Sequence, residues 1–215
     1  MLPNKKEQII IARLLPMQTQ AIDESCQLLA ASFFSDPVLN WLVNAHRDRY
    51  AVAYDFFTMY LQKALDKGRV DIARCSRFKK IVGVTLYFPS DMEDTDTGIQ
   101  IELNRACGKY TLLFDKFLKT MSKQYPVKEK PYQILSFVGV SASYQGMGIG
   151  SKLIKHALTE FDEQGTSTYL EASSIRSASG IYADLDYTMC SPPILFDGGR
   201  VKVYPMWREA QKKAC

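Results

Sequence analysis

The chain of 215 residues predicts a mixed α/β fold, one sheet flanked by helices. Two observations carry this. Strand-like and helix-like runs follow one another in the order β, two helices, ββ, helix, then βαβαββ, which suits a single layered sheet. Within that order, an apolar run from Ile134 to Val140 passes through a glycine-rich turn, Ser143 to Ser151, into an amphipathic run from Ile149 to Phe161. At 47% hydrophobic residues the chain can fill a sizeable core, and its length suits one domain over residues 1–215.

Gln8 to Leu15 is apolar and β-branched, a first strand. Thr19 can cap a helix to about Phe34, with Ile22, Cys26, Leu29 and Phe33 on one face. Asp36-Pro37 breaks it. A second helical region runs from Val38 to about Lys67, rich in aromatics, with Gly68 as its stop. Val70 to Arg74 and Lys79 to Phe88 read as paired strands. Ser90 to Gly98 is acidic and loop-like, with Asp91, Glu93, Asp94 and Asp96. Ile99 to Tyr125 is one long amphipathic pattern, and Pro126 to Pro131 a charged connector. After the central strand, turn and helix come a strand at Ser167 to Ala172 and a short helix at Ser177 to Asp184. Thr188 to Ser191 and Val201 to Trp207 then read as a closing pair of strands, with Gly198-Gly199 in the turn between them.

Bulk properties exclude several classes. The net charge is +4 with scattered basic residues, so no nucleic-acid footprint is expected, though a polyanionic ligand suits the sign. Five cysteines, far apart and without C-x-x-C, indicate neither a disulfide framework nor a zinc site. His46 and His156 are remote in sequence and read as surface or core residues. No secretory apolar region and no long apolar run is present, so no membrane partner and a cytoplasmic location are expected.

The glycine-rich turn points to phosphate binding. Glycines let backbone N–H groups approach a ligand closely, and the following helix start supplies unpaired N–H groups with partial positive charge. A P-loop fails because Gly150 is followed by Ser151 and then Lys152. The dinucleotide spacing G-x-G-x-x-G fits poorly, since the glycines are Gly146, Gly148 and Gly150. Gln145, Gly148 and Gly150 match in full a third pattern, Gln/Arg-x-x-Gly-x-Gly/Ala.

That pattern resembles the acyl-CoA pyrophosphate loop of the GNAT superfamily of N-acetyltransferases, and the order of elements resembles that fold from end to end. Within the superfamily the chain is similar to puromycin N-acetyltransferase-like members. The resemblance rests on Ala31 to Pro37, Tyr132 to Gly150, and Tyr169-Leu-Glu-Ala-Ser173 followed by Tyr182-x-x-Leu185. Asp186-Tyr187 stands where that group has Gly-Phe, an extra residue separates Ser173 from Tyr182, and Ser177 lies near the place of a common asparagine.

The resemblance implies a mostly antiparallel central sheet splayed between strands four and five, with acetyl-CoA as co-substrate and no metal. Pantetheine would lie in the splay against the backbone of Val138, Gly139 and Val140, and the Val140 N–H would polarise the thioester carbonyl. Gln145, Gly146, Met147, Gly148, Ile149, Gly150 and Ser151 would hold the pyrophosphate, and Ser177 would sit near the pantetheine arm. Tyr182 would protonate the departing thiolate. Glu171 is the carboxylate placed to act as base, with water as the alternative. The acceptor would be a small-molecule primary amine with an apolar or aromatic body, in a pocket lined by the aromatics from Phe33 to Tyr60, among them Phe33, Phe34, Trp41, Tyr50 and Tyr54, unless that stripe is core. Acetyl transfer would proceed by direct attack in a ternary complex, in a monomer or homodimer. Two other readings stand beside this one: a CoA-binding or sensing module without catalysis, and, more distantly, a dinucleotide-dependent enzyme.

Overall fold

The computed structural model describes residues 8–92 and 96–211, without the side chains of 96–99. The lysine pairs at 5–6 and 212–213 fall outside the described residues, and so do Glu93, Asp94 and the side chain of Asp96. Strand β1 (Ile9–Arg13) is followed by helices α1 (Thr19–Phe33), α2 (Pro37–Leu42) and α3 (His46–Lys67). Strands β2 (Arg69–Cys75) and β3 (Ile81–Pro89) lead to helices α4 (Asp96–Cys107) and α5 (Thr111–Ser122). Then come β4 (Gln133–Val140), α6 (Ile149–Glu163), β5 (Thr168–Ala172) and a set of helical turns opened by α7 (Ile175–Ser177). Strands β6 (Thr188–Met189), β7 (Ile194–Phe196) and β8 (Val201–Arg208) close the chain.

One sheet runs in the order β1-β2-β3-β4-β5-β8-β6, with β7 also on β8. Every pairing is antiparallel except β4 with β5. That parallel pair is short: Gln133, Ile134 and Leu135 face Thr168, Tyr169 and Leu170, while β4 continues alone to Val140. A bulge marks the parting, since Leu86 opposes Phe137 but Tyr87 opposes Leu135, leaving Ser136 as the extra residue. The expected splay between strands four and five is therefore present.

Helix α6 lies on one face, burying Leu153, Ile154, Ala157, Leu158 and Phe161. It is tied to the sheet by ion pairs, Arg208 to Asp162 at 2.7 Å and the buried Arg69 to Glu160 at 2.6 Å. Helices α1 and α3 cover the other face. Gly139 lets α1 come close, because a Cβ there would lie 3.0 Å from Leu29 and 3.1 Å from Leu28.

Four sequence expectations change. Thr19 is the first helical residue and not the cap; the cap is Gln18, whose side chain accepts from the Leu15 N–H. The single helix from Val38 to Lys67 is two, because Val43 and Ala45 leave helical geometry. The long pattern from Ile99 to Tyr125 is also two helices, parted at Gly108, whose φ is +51°. The expected closing pair forms, β6 on β8 at Trp207 and Met206, but an unexpected strand, β7, lies between them in sequence and makes the hairpin with β8 across the Gly198-Gly199 turn. Ile194–Phe196 was hidden by Pro192-Pro193 just before it.

Candidate active site

The parting of β4 from β5 opens onto a cavity of about 670 Å³. The backbone of β4 faces that opening in alternation. Ser141 donates to the Val82 carbonyl, which makes that opposed pair hydrogen-bonded. In an antiparallel ladder the bonded pairs recur every second residue, so Gly139 bonds to β3, opposite Val84, while Val138 and Val140 do not. The N–H groups of Val138 and Val140 thus point toward the splay. The Val140 carbonyl, on that same side, accepts from Ser32 Oγ at 3.2 Å and from Gln145 Nε2 at 3.1 Å.

Beyond Val140 the chain makes the glycine turn. Gly146 and Gly148 have φ of +77° and +73°, with open space where a Cβ would stand. Positive φ is the reason for glycine here. Gly148 is the N-cap of α6, so the first N–H groups of that helix have no helical carbonyl to meet. Met147 is exposed, and the Ile149 side chain is core, packed with Leu153 and Val82. Gly150 serves a different purpose. A Cβ there would lie 3.1 Å from Ile181, so its absence lets the start of α6 touch the turn that carries Tyr182.

That turn follows β5. Ser174 caps α7, accepting from the Ser177 N–H at 3.2 Å, and the two hydroxyls meet at 2.8 Å. Ser177 is thus engaged locally while it lines the cavity. A π-type turn over Ala178–Tyr182, with Gly180 out of helical geometry, presents Tyr182. Asp186 takes the left-handed conformation at φ +65° where the resembling group has glycine, a conformation aspartate tolerates better than most. Tyr187 is buried and accepts from Thr168 Oγ1 at 2.8 Å. The departures from the Gly-Phe pattern are accommodated locally.

Of the predicted site residues, Val138, Gln145, Glu171, Ser177 and Tyr182 line the one cavity. Gly139, Val140, Gly146, Met147, Gly148, Ile149, Gly150 and Ser151 lead from its rim into α6. Burial first, and then the nearby Asp36 charge, push the Tyr182 phenol up to about 12. Burial pushes Glu171 up to about 8, against the opposing effect of the Tyr169 hydroxyl that donates to it at 3.0 Å.

The aromatic expectation needs correction. Of Phe33, Phe34, Trp41, Tyr50 and Tyr54, only Phe33 lines the cavity. Trp41 stacks on Phe117 and Phe196, Phe34 meets His46 and Arg49, and Tyr54 donates to Asp23. Tyr50 lies 43% exposed. Phe56, Phe57 and Tyr60, later in the expected stretch, do line it, and Phe114, Phe117 and Phe137 from outside that stretch complete the aromatic wall. Helical periodicity puts residues on a face without telling which face meets a cavity.

Sequence reading also missed Asp36, Ser173 and Arg176 in the lining. Asp36 precedes Pro37 at the first helical position, the pattern of an N-cap, and its Oδ1 accepts from Val38 and Leu39 at 2.8 and 3.1 Å. That signal reveals the cap. It does not reveal that the carboxylate also borders the cavity.

Residues 127–209 match the family model of the acetyltransferase (GNAT) domain. No curated protein matches the chain. A solved structure from Corynebacterium glutamicum, described as histone acetyltransferase HPA2 and related acetyltransferase, is 21% identical with a TM-score of 0.66, covering 96% of this chain and 99% of that one. Arylalkylamine N-acetyltransferase 2 from Aedes aegypti is 18% identical with a TM-score of 0.62, covering 95% and 100%. A NatC complex bound to Gag peptide and CoA is 11% identical with a TM-score of 0.59, covering 95% and 99%. The fold is the GNAT fold. Among the described residues no cluster of metal-ligating side chains occurs, and no helix is long and apolar enough to cross a membrane.

Proposed function

We propose that the protein is an N-acetyltransferase that moves an acetyl group from acetyl-CoA to the primary amine of a small molecule, by direct attack in a ternary complex. The observation that carries this is the splay itself: two free strand N–H groups, a glycine turn and a helix start on one side, and a cavity with Tyr182 on the other. Pantetheine would pair with Val138 and Val140 as an added strand. The Val140 N–H would donate to the thioester oxygen as charge develops there. Phosphates would meet the backbone of residues 146–151, where the open space at Gly146 and Gly148 leaves room for them. Ser177, which lines the cavity, would border the pantetheine arm.

The amine nitrogen attacks the thioester carbon, the C–N bond forms, and the C–S bond breaks. Tyr182, held as the neutral phenol, gives its proton to the leaving sulfur. It regains one from the nitrogen as the amide forms. The aromatic wall supports an acceptor with an apolar or aromatic body. The likeness to puromycin N-acetyltransferase-like members, carried by Ala31 to Pro37 and Tyr169 to Leu185, supports the same choice.

The test is thiol release from acetyl-CoA with a panel of amines. Aromatic amines and aminonucleosides should outrun polyamines, aminoglycosides and lysine peptides. A tenfold or greater advantage for lysine peptides or aminoglycosides in kcat/KM, about 1.4 kcal/mol of transition-state preference, would remove the apolar acceptor. Thiol release with no amine in the panel would remove the transferase reading.

A further inference from the structure

We propose that one buried water molecule sits between helix α6 and the sheet, bridging Asp71 Oδ1 and Thr85 Oγ1 as a fixed part of the fold. The inference stands apart from the acetyltransferase reading, since neither residue lines the cavity.

Asp71 of β2 and Thr85 of β3 are opposed in register, and both are 0% exposed. Residues so opposed point to one face of the sheet. Here it is the α6 face: Gly83, two residues before Thr85, meets Leu153, and Tyr87, two residues after, meets Phe161. Asp71 commits Oδ2 to Arg69 Nε at 2.7 Å, and His156 Nδ1 lies 3.7 Å from the same oxygen. Asp71 Oδ1 and Thr85 Oγ1 have no hydrogen-bond partner among the described residues, although both are buried. Buried polar atoms in native interiors are paired, by protein or by ordered water. These two oxygens do not bond each other, and opposed Cβ atoms stand about 4.5–5.5 Å apart. A span of that size suits one bridging water, with a bond of about 2.8 Å on either side.

Helix α6 leaves the room. Along its sheet-facing stripe run Leu153, Ala157 and Phe161, all buried. Eight residues of helix rise about 12 Å, and the four residues of strand from Gly83 to Tyr87 span about 13 Å. With Leu153 over Gly83 and Phe161 against Tyr87, the residue above Thr85 is Ala157, whose single methyl leaves the space that a longer side chain would fill. The surrounding charges choose the ligand. Arg13 and Arg69 pair with Asp71 and Glu160, two of each sign, so a cation finds no surplus of negative charge and a neutral molecule fits. A water that donates to Asp71 Oδ1 and accepts from Thr85 Oγ1 keeps one proton for the Tyr87 hydroxyl, a third buried atom without a partner on that face. About three bonds is usual for a buried water. Thr85 is opposed on its other side by Val138, so the bridge braces the strand next to the one that parts from β5.

A high-resolution crystal structure of the parent should show one water oxygen within about 3.2 Å of both Asp71 Oδ1 and Thr85 Oγ1. A Thr85 hydroxyl bonded straight to Asp71, no density between the two, or a cation with oxygen distances of about 2.3–2.6 Å would overturn the proposal. Thr85→Val keeps the side-chain shape and removes the hydroxyl, and thermal melts read the sign of the effect. If the hydroxyl holds a water, its loss leaves that water short of a bond, and Tm should fall by about 2–4 °C. If the hydroxyl is an orphan in a dry interior, its removal relieves a cost, and Tm should hold or rise; that result would overturn the bridge even with the fold intact.

Discussion

Gly148→Asp separates a loop that binds phosphate from one that only turns. Gly148 sits at φ +73° with nothing within 4 Å of a built Cβ, so a side chain meets no clash and the cost is conformational. A non-glycine residue in left-handed geometry costs about 1–2 kcal/mol, and a chain this size loses about 2–4 °C per kcal/mol, so the apparent Tm should drop by about 2–8 °C. Acetyl-CoA at a hundred times its Kd adds about 2.7 kcal/mol, or about 5–11 °C at the same conversion. In the variant that gain should vanish, because a carboxylate then stands where the pyrophosphate would lie. Gly198→Asp is the matched control: φ is +65°, the space is equally open, and the position lies in the β7–β8 turn. It should lose similar stability and keep the full acetyl-CoA gain. Differential scanning fluorimetry with and without acetyl-CoA reads both. Equal gains for the parent and Gly148→Asp would refute the placement of the phosphates.

Tyr182→Phe should lower kcat by about 10²–10⁴-fold where chemistry limits the rate, with acetyl-CoA affinity nearly intact; single-turnover kinetics checks this, and an unchanged rate would show another proton donor. Glu171 binds its proton more tightly folded, near 8, than its ordinary 4.5, so stability from this group is full below about 4.5 and is lost as pH rises through about 8. Tm of the parent should therefore fall more steeply between pH 5 and 8.5 than that of Glu171→Gln, and parallel curves would count against the burial argument. Asp186→Gly should relieve left-handed strain worth about 1 kcal/mol, offset in part by loss of the exposed Gln211 contact, and thermal melts should show a rise or no change; a clear loss of stability would show that Asp186 is held by more than its backbone.

What was legible in the sequence was what local chemistry dictates. The strand, glycine turn and helix from Ile134 to Phe161 declare themselves through β-branched residues, three glycines and an amphipathic period, and their bounds hold to within about two residues. The helix breaks at Val43 to Ala45 and at Gly108 were missed because the apolar period continues across them. Thr19 failed as a cap because a capping residue does not fix its own register: Gln18, one residue earlier, reaches back to the Leu15 N–H. The cavity was illegible for a further reason. Its lining is drawn from α1, α2, α3, α5, β4, β5, the α7 turn and β8, and only the tertiary fold decides which aromatics meet there.

Asp186-Tyr187, standing where the resembling group has Gly-Phe, carries an argument of its own. Glycine after Leu185 is needed only if the chain must turn left-handed there, and Asp186 does so at φ +65°. Phenylalanine is needed only if an apolar ring must plug the α6 face, and Tyr187 plugs it while its hydroxyl meets Thr168. The turn is thus specified twice over, by Asp186 from behind and by the Ser174 cap from in front. Between these two fixed points lies Gly180, out of helical geometry. Tyr182, carried between them, borders the cavity.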